Sequence, residues 1–239
     1  ERGGSTIIHT LPNEPDQVLL STPVVEIRTS MNSMQARRGR GEMVNRPFNL
    51  YRYNLNTKRY TLVSEGSIDT VNWVVNRSGE PILRQDRDTE DQRWRVYRPQ
   101  GNGWTSIYEE RYERERFGRD GWRSISRIGG LVGQDVNGRG VWFSALENRD
   151  KVRGYLFNAE TGEVSEPQLA PDGFNLGGLE VDWRTDEVIG AYWQAERRQT
   201  EWFDPLFASL QQQLSGLFPE SDVVISDWDL AGNRFIVEV

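Results

Sequence analysis

The chain contains no cysteine, a single histidine, and only two lysines, Lys58 and Lys151. Nor does it have an apolar run approaching the ~20 residues that a membrane-spanning helix needs. Without cysteine there are no disulfides, zinc–thiolate sites or cysteine nucleophiles, although a cysteine-free chain suits both the cytosol and an oxidising exterior. The lone histidine, His9, would have to serve any Ser-His-Asp triad, yet it follows Ile7-Ile8 in an alternating segment with no nucleophile motif nearby. Histidine metal sites usually recruit several imidazoles, so a structural role is expected for it. Positive charge is also in deficit, 29 Lys plus Arg against 36 Asp plus Glu for a net charge of −7. Binding to nucleic acid or an anionic membrane draws on a cationic surplus, so neither is expected as a partner. Gly129-Gly130 and Gly138-Arg139-Gly140 do not lead from a strand into a helix and are turn glycines, not a phosphate loop.

What the chain does have is a recurring motif. Leu50-Tyr51-Arg52-Tyr53-Asn54-Leu55-Asn56-Thr57-Lys58-Arg59-Tyr60 returns as Gly154-Tyr155-Leu156-Phe157-Asn158-Ala159-Glu160-Thr161-Gly162-Glu163-Val164, with a degenerate copy from Arg95 to Trp104. Each copy reads as an alternating strand, a polar turn and a return strand. Repeats spaced by about 40–60 residues imply stacked units, and the four-stranded blades of a β-propeller have about this period.

Inner hairpins are expected near residues 7, 71, 131, 179 and 223, alternating with outer hairpins at 48–63, 93–108 and 153–166. At the fourth outer position a helix is expected instead, with Asp204 as N-cap, Pro205 first, a stripe of Leu206, Phe207, Leu210, Leu214 and Leu217, and Pro219 as the stop. Such a helix would lie against the outer edge of a blade. Met31 to Glu42, with Arg37, Arg38 and Arg40, has no periodicity and reads as a solvated excursion; Glu109 to Arg123 mixes both charge signs and reads as a self-paired exposed loop. The expectation is one all-β domain over residues 1–239, a propeller of about four to five blades with one short helix. The last strand lacks outer partners, so this is expected to be part of a larger propeller in a longer polypeptide.

Four stretches stand out: Ile7-Ile8-His9-Thr10-Leu11-Pro12-Asn13-Glu14-Pro15-Asp16-Gln17-Val18-Leu19-Leu20, then Tyr51 to Lys58, then Asp186 to Tyr192, and then Trp202-Phe203-Asp204 with Leu217-Phe218-Pro219 and Ser226-Asp227-Trp228-Asp229. In this order they resemble the propeller domain of prolyl oligopeptidase-type serine peptidases, in the bacterial dipeptidyl/acylaminoacyl peptidase-like branch. In that family the propeller is followed by an α/β-hydrolase domain carrying the catalytic residues. The present chain has no Gly-x-Ser-x-Gly elbow and no alternating strand–helix units. The resemblance therefore implies a non-catalytic lid that limits entry to short peptides, with a hydrolase domain of the same parent polypeptide as partner, a peptide as substrate and no cofactor. Export to the periplasm or exterior is its implication for compartment.

Candidate ligand or domain contacts are Trp73, Asp182, Trp183, Trp228 and Asp229, on or beside the ends of inner strands. Large flat rings there either fill the wedge between blades or stack on a ligand. Glu180, Asp182, Asp227 and Asp229 either cap turns or, in a glycosidase-like five-bladed propeller, face a central funnel as an acid and base pair. A stand-alone binding scaffold is the other alternative. Asp86 to Asp91 and Asp227 to Gly232 are spaced somewhat like calcium loops but lack the later bidentate glutamate, and turns are expected there.

Overall fold

The structure is a computed structural model, and it describes residues 4–23, 47–117, 121–147, 150–169, 171 and 173–239. The excursion from Met31 to Glu42 lies outside the described residues. The first sheet is an antiparallel meander of β1 (Thr6–His9), β2 (Gln17–Pro23), β3 (Phe48–Asn54) and β4 (Tyr60–Ser64); the second repeats it with β5 (Thr70–Val75), β6 (Pro81–Asp88), β7 (Arg93–Gln100) and β8 (Gly103–Arg111). After a two-stranded hairpin of β9 (Glu113–Phe117) and β10 (Gly121–Ile125), a third meander follows, of β11 (Leu131–Asp135), β12 (Val141–Glu147) and β13 (Lys151–Phe157). The fourth comprises β14 (Leu176–Asp182), β15 (Glu187–Gln194) and β16 (Arg198–Trp202), and helix α1 (Pro205–Leu217) leads to the last hairpin of β17 (Val224–Trp228) and β18 (Phe235–Glu238).

The apolar faces of these sheets meet one another in sequence order. Leu11, Leu19 and Leu50 of the first sheet pack on Trp73 and Val75 of the second. Val74, Leu83, Trp94 and Val96 of the second join Leu131, Val141, Phe143 and Phe157 of the third. Trp142 and Leu156 of the third meet Leu176, Val188 and Ala191 of the fourth. Ile189 of the fourth meets Phe207 of α1 with Ile225 and Trp228 of the last hairpin. A core between each sheet and the next, with no single core shared by all, is how propeller blades pack. The innermost strands are neighbours, since β5 packs against both β1 and β11. The chain is thus an all-β, propeller-type array with one short helix.

The repeated motif produces a repeated turn. Asn54 Oδ1 accepts the backbone N–H groups of Asn56 and Thr57, and Asn158 Oδ1 accepts those of Glu160 and Thr161. The positive φ that closes each turn falls on Lys58 (58°) and on Gly162 (79°). Polar seams add to the cores: the fully buried Gln85 donates to the Gly129 carbonyl at 2.8 Å and accepts from Leu131 N–H at 3.2 Å, tying the second sheet to the third.

Four details depart from the sequence reading. The outer hairpin at 153–166 has no full return strand, only single bridges Phe157↔Val164 and Gly154↔Leu169. There the Ser165 hydroxyl takes the Leu156 N–H, and Pro167 has no N–H to give to a ladder. The charged segment after Glu109 extends β8 and then forms the β9–β10 ladder, so it is paired through its backbone instead of forming a loop. In the fourth sheet β16 precedes the helix, so α1 follows a third strand; it does pack on β16, at the sheet's outer side. The helical stripe is narrower than expected: Phe207 is buried and Leu210 and Leu214 partly so, whereas Leu206 and Leu217 are exposed.

The third and fourth sheets are also joined directly, by parallel pairing of Gln134↔Glu187 and Asp135↔Val188. Gly133 permits this, because a Cβ there would sit 2.5 Å from the Asp186 carbonyl oxygen.

Candidate functional site

The hairpin turns between first and second strands are closed by short polar side chains that take up local N–H groups. Asn76 Oδ1 accepts from Ser78 and Glu80, and Asp229 Oδ1 from Asn233 and Arg234. Because the blades are arranged side by side, the tips of turns far apart in sequence come together. Pro12 and Asn13 from the first sheet, Arg77 from the second, Arg184 and Thr185 from the fourth, and Leu230 from the last hairpin line one cavity of about 270 Å3. A smaller neighbour of about 160 Å3, lined by Leu11, Asn13, Glu14, Arg77 and Ser78, shares two of these residues.

Two buried aspartates at the ends of inner strands hold this end together, and they are built alike. Asp135, closing β11, receives Arg139 Nε at 2.9 Å and Nη2 at 3.0 Å, and Trp142 Nε1 at 3.0 Å. Asp182, closing β14, receives Arg184 Nη2 at 2.7 Å and Nε at 2.9 Å, and Trp228 Nε1 at 3.2 Å. Burial alone would push both carboxyls up. Hydrogen bonds from arginine and tryptophan, with the arginine charge, outweigh it and hold both below the ordinary aspartate range. Each aspartate is therefore an ionised anchor, and Asp182 reaches across to the last hairpin.

A third carboxylate is placed differently. Asp186 follows Thr185 in the same turn at φ 58°, a left-handed conformation that Gly or Asn adopts at less cost. Its Oδ2 lies 4.0 Å from Nε2 of His9, which stands on β1 and whose side chain is wholly buried. His9 Nδ1 accepts the Leu11 N–H at 2.8 Å, which leaves the proton on Nε2, and Nε2 has no hydrogen-bond partner among the described residues. Burial pushes the Asp186 carboxyl up to about 7 and His9 below its ordinary value. The first and fourth blades thus approach each other through a desolvated pair, His9 and Asp186.

The residues singled out in the sequence are dispersed by the fold, with one exception. Asp182 and Trp228 are hydrogen-bonded to each other, and Trp228 also packs edge-on against Phe207. Trp73 lies buried in the first inter-sheet core, edge-on to Trp104. Trp183 is exposed at the turn, and Asp229 caps its own turn. Glu180 pairs with Arg198, and Asp227 accepts the N–H of Trp228. Sequence reasoning did not single out Arg77, Asp186, or the Asp135–Arg139–Trp142 cluster. The last has a local signal, an aspartate heading an Asn-Gly turn with a tryptophan shortly after. The others join positions too distant in sequence for any spacing to disclose.

No family model matches the chain, and no curated protein matches it. Among solved structures it is similar to the β-propeller domain of the trilobed protease from Pyrococcus furiosus, at 10% sequence identity and a TM-score of 0.37, over 78% of this chain and 54% of that one. The chain spans about half the length of that structure. Its assignment to the propeller type rests on the order of the sheets and on the cores between them.

Proposed function

We propose that the chain is the non-catalytic propeller module of a serine peptidase-like hydrolase, limiting which peptides reach an α/β-hydrolase domain of the same parent polypeptide and docking against it. One observation carries this reading. The two segments near the N-terminus that resemble that peptidase family, Ile7 to Leu20 and Tyr51 to Lys58, are adjacent in one blade, with β2 and β3 paired without interruption from Gln17↔Asn54 to Pro23↔Phe48. Pieces separated in sequence are one contiguous part of the fold.

The chemistry of the described residues supports the same division of labour. The only histidine is buried and already accepts a backbone N–H through Nδ1, so it is no general base for a serine. Bond breaking is assigned to the partner domain, and no cofactor is called for. Peptide selection is assigned to the end of the array where the turns gather and the first and fourth blades approach at His9 and Asp186. On the same reading a periplasmic or secreted location is preferred over a cytoplasmic one.

A fluorophosphonate probe, which labels activated serines, tests it. The purified chain should stay unlabelled, while the full product of its gene should label at a single serine outside residues 1–239. Labelling of this chain alone, or a gene product without a reactive serine, would contradict the proposal.

A further inference from the structure

The cavity where four hairpin turns converge has a one-sided chemistry. Arg77 makes no hydrogen bond or ion pair to another described residue. Arg184 spends Nε and Nη2 on Asp182 but leaves Nη1 without an acceptor among the described residues. Thr185 Oγ1 accepts the Glu187 N–H at 3.3 Å, so its own proton is uncommitted. Asn13 adds an amide. No carboxylate stands among the lining residues Pro12, Asn13, Arg77, Arg184, Thr185 and Leu230. In the adjoining smaller cavity the one carboxylate, Glu14, is already bonded to Arg52 and Gln17. Asp204 and Asp229 act on Arg184 through space but do not line the cavity.

A concave site with one guanidinium unpaired among the described residues, a second whose charge is matched by Asp182 but whose Nη1 stays open, and a free hydroxyl proton is complementary to an oxyanion. At about 270 Å3 the space has room for a small anion. We infer that this cavity binds a small oxyanion, the carboxylate of an organic acid or a phosphate group, with Arg77 as the principal cation and Arg184 and Thr185 as secondary donors. This assignment goes beyond the peptidase reading and does not depend on it. It also gives a reason for Arg77 to stand at an exposed turn without an ion-pair partner among the described residues: the partner is the ligand.

Isothermal titration of the purified chain with succinate, with inorganic phosphate and with neutral succinamide tests the inference. At least one anion should bind, and succinamide should bind at least tenfold more weakly. Whichever anion binds tighter identifies the source. Arg77→Gln should weaken that anion about tenfold or more without changing the melting temperature, since Arg77 is exposed and has no partner among the described residues, and Arg77→Lys should fall between. The inference is overturned if neither anion binds better than succinamide, or if Arg77→Gln binds as the parent chain does.

Discussion

At the residue scale, Asp186 takes a left-handed conformation that places its carboxyl against another blade. Its turn, Asp182-Trp183-Arg184-Thr185-Asp186, has the form of Asn54-Leu55-Asn56-Thr57-Lys58 and Asn158-Ala159-Glu160-Thr161-Gly162, with positive φ at the fifth position each time. Glycine serves that position in one copy, whereas here a partly buried carboxyl stands there beside His9. A carboxyl whose folded pKa is raised favours the folded state below its unfolded pKa, and that contribution is lost as pH rises from 3.8 to about 7. The lowered pKa of His9 works in the opposite sense, since its contribution is present above 6.5 and lost as pH falls below that. Asp186→Asn removes the first effect and keeps a residue that tolerates the left-handed region. Urea unfolding should therefore show the variant gaining on the parent between pH 4 and pH 8, by about 1–3 kcal/mol. A difference that does not change with pH would contradict the burial of this carboxyl.

At the element scale, α1 separates what the sequence disclosed from what it did not. The cap was legible, because Asp204 followed by Pro205 is a local signal, and Asp204 does accept from Leu206 and Phe207 N–H. The buried face was only half legible. A heptad-like stripe predicts Leu206 and Leu217 as core, but the helix rests on a narrow seam and buries Phe207 among Trp202, Trp228 and Phe235. Phe207→Ala should cost about 3–5 kcal/mol in denaturant unfolding, while Leu217→Ala should cost less than about 0.5 kcal/mol. Equal costs would mean that the helix packs along its whole predicted stripe. Apart from the incomplete one at 153–166, the hairpins were legible for the same local reason as the cap, since alternation flanking an Asx turn needs no distant partner. Strand β16 was not, because Arg198-Gln199-Thr200-Glu201-Trp202 carries too few apolar residues to alternate visibly. Of the candidate site, the Asp182–Trp228 bond and the His9–Asp186 approach are products of blade packing, which no spacing rule reaches.

At the scale of the whole molecule, the account depends on blades set around an axis, so that turns remote in sequence share one end. Arg77 and Leu230 belong to the second and last hairpins, are both exposed, and line the same cavity. Because the chain has no cysteine, Arg77→Cys with Leu230→Cys introduces the only two thiols, and a short bis-maleimide reports whether they are within reach. Mass spectrometry of the treated, folded monomer should show one intramolecular bridge between positions 77 and 230. Two separately capped cysteines without a bridge would show that the turns do not converge, and the radial arrangement would be wrong.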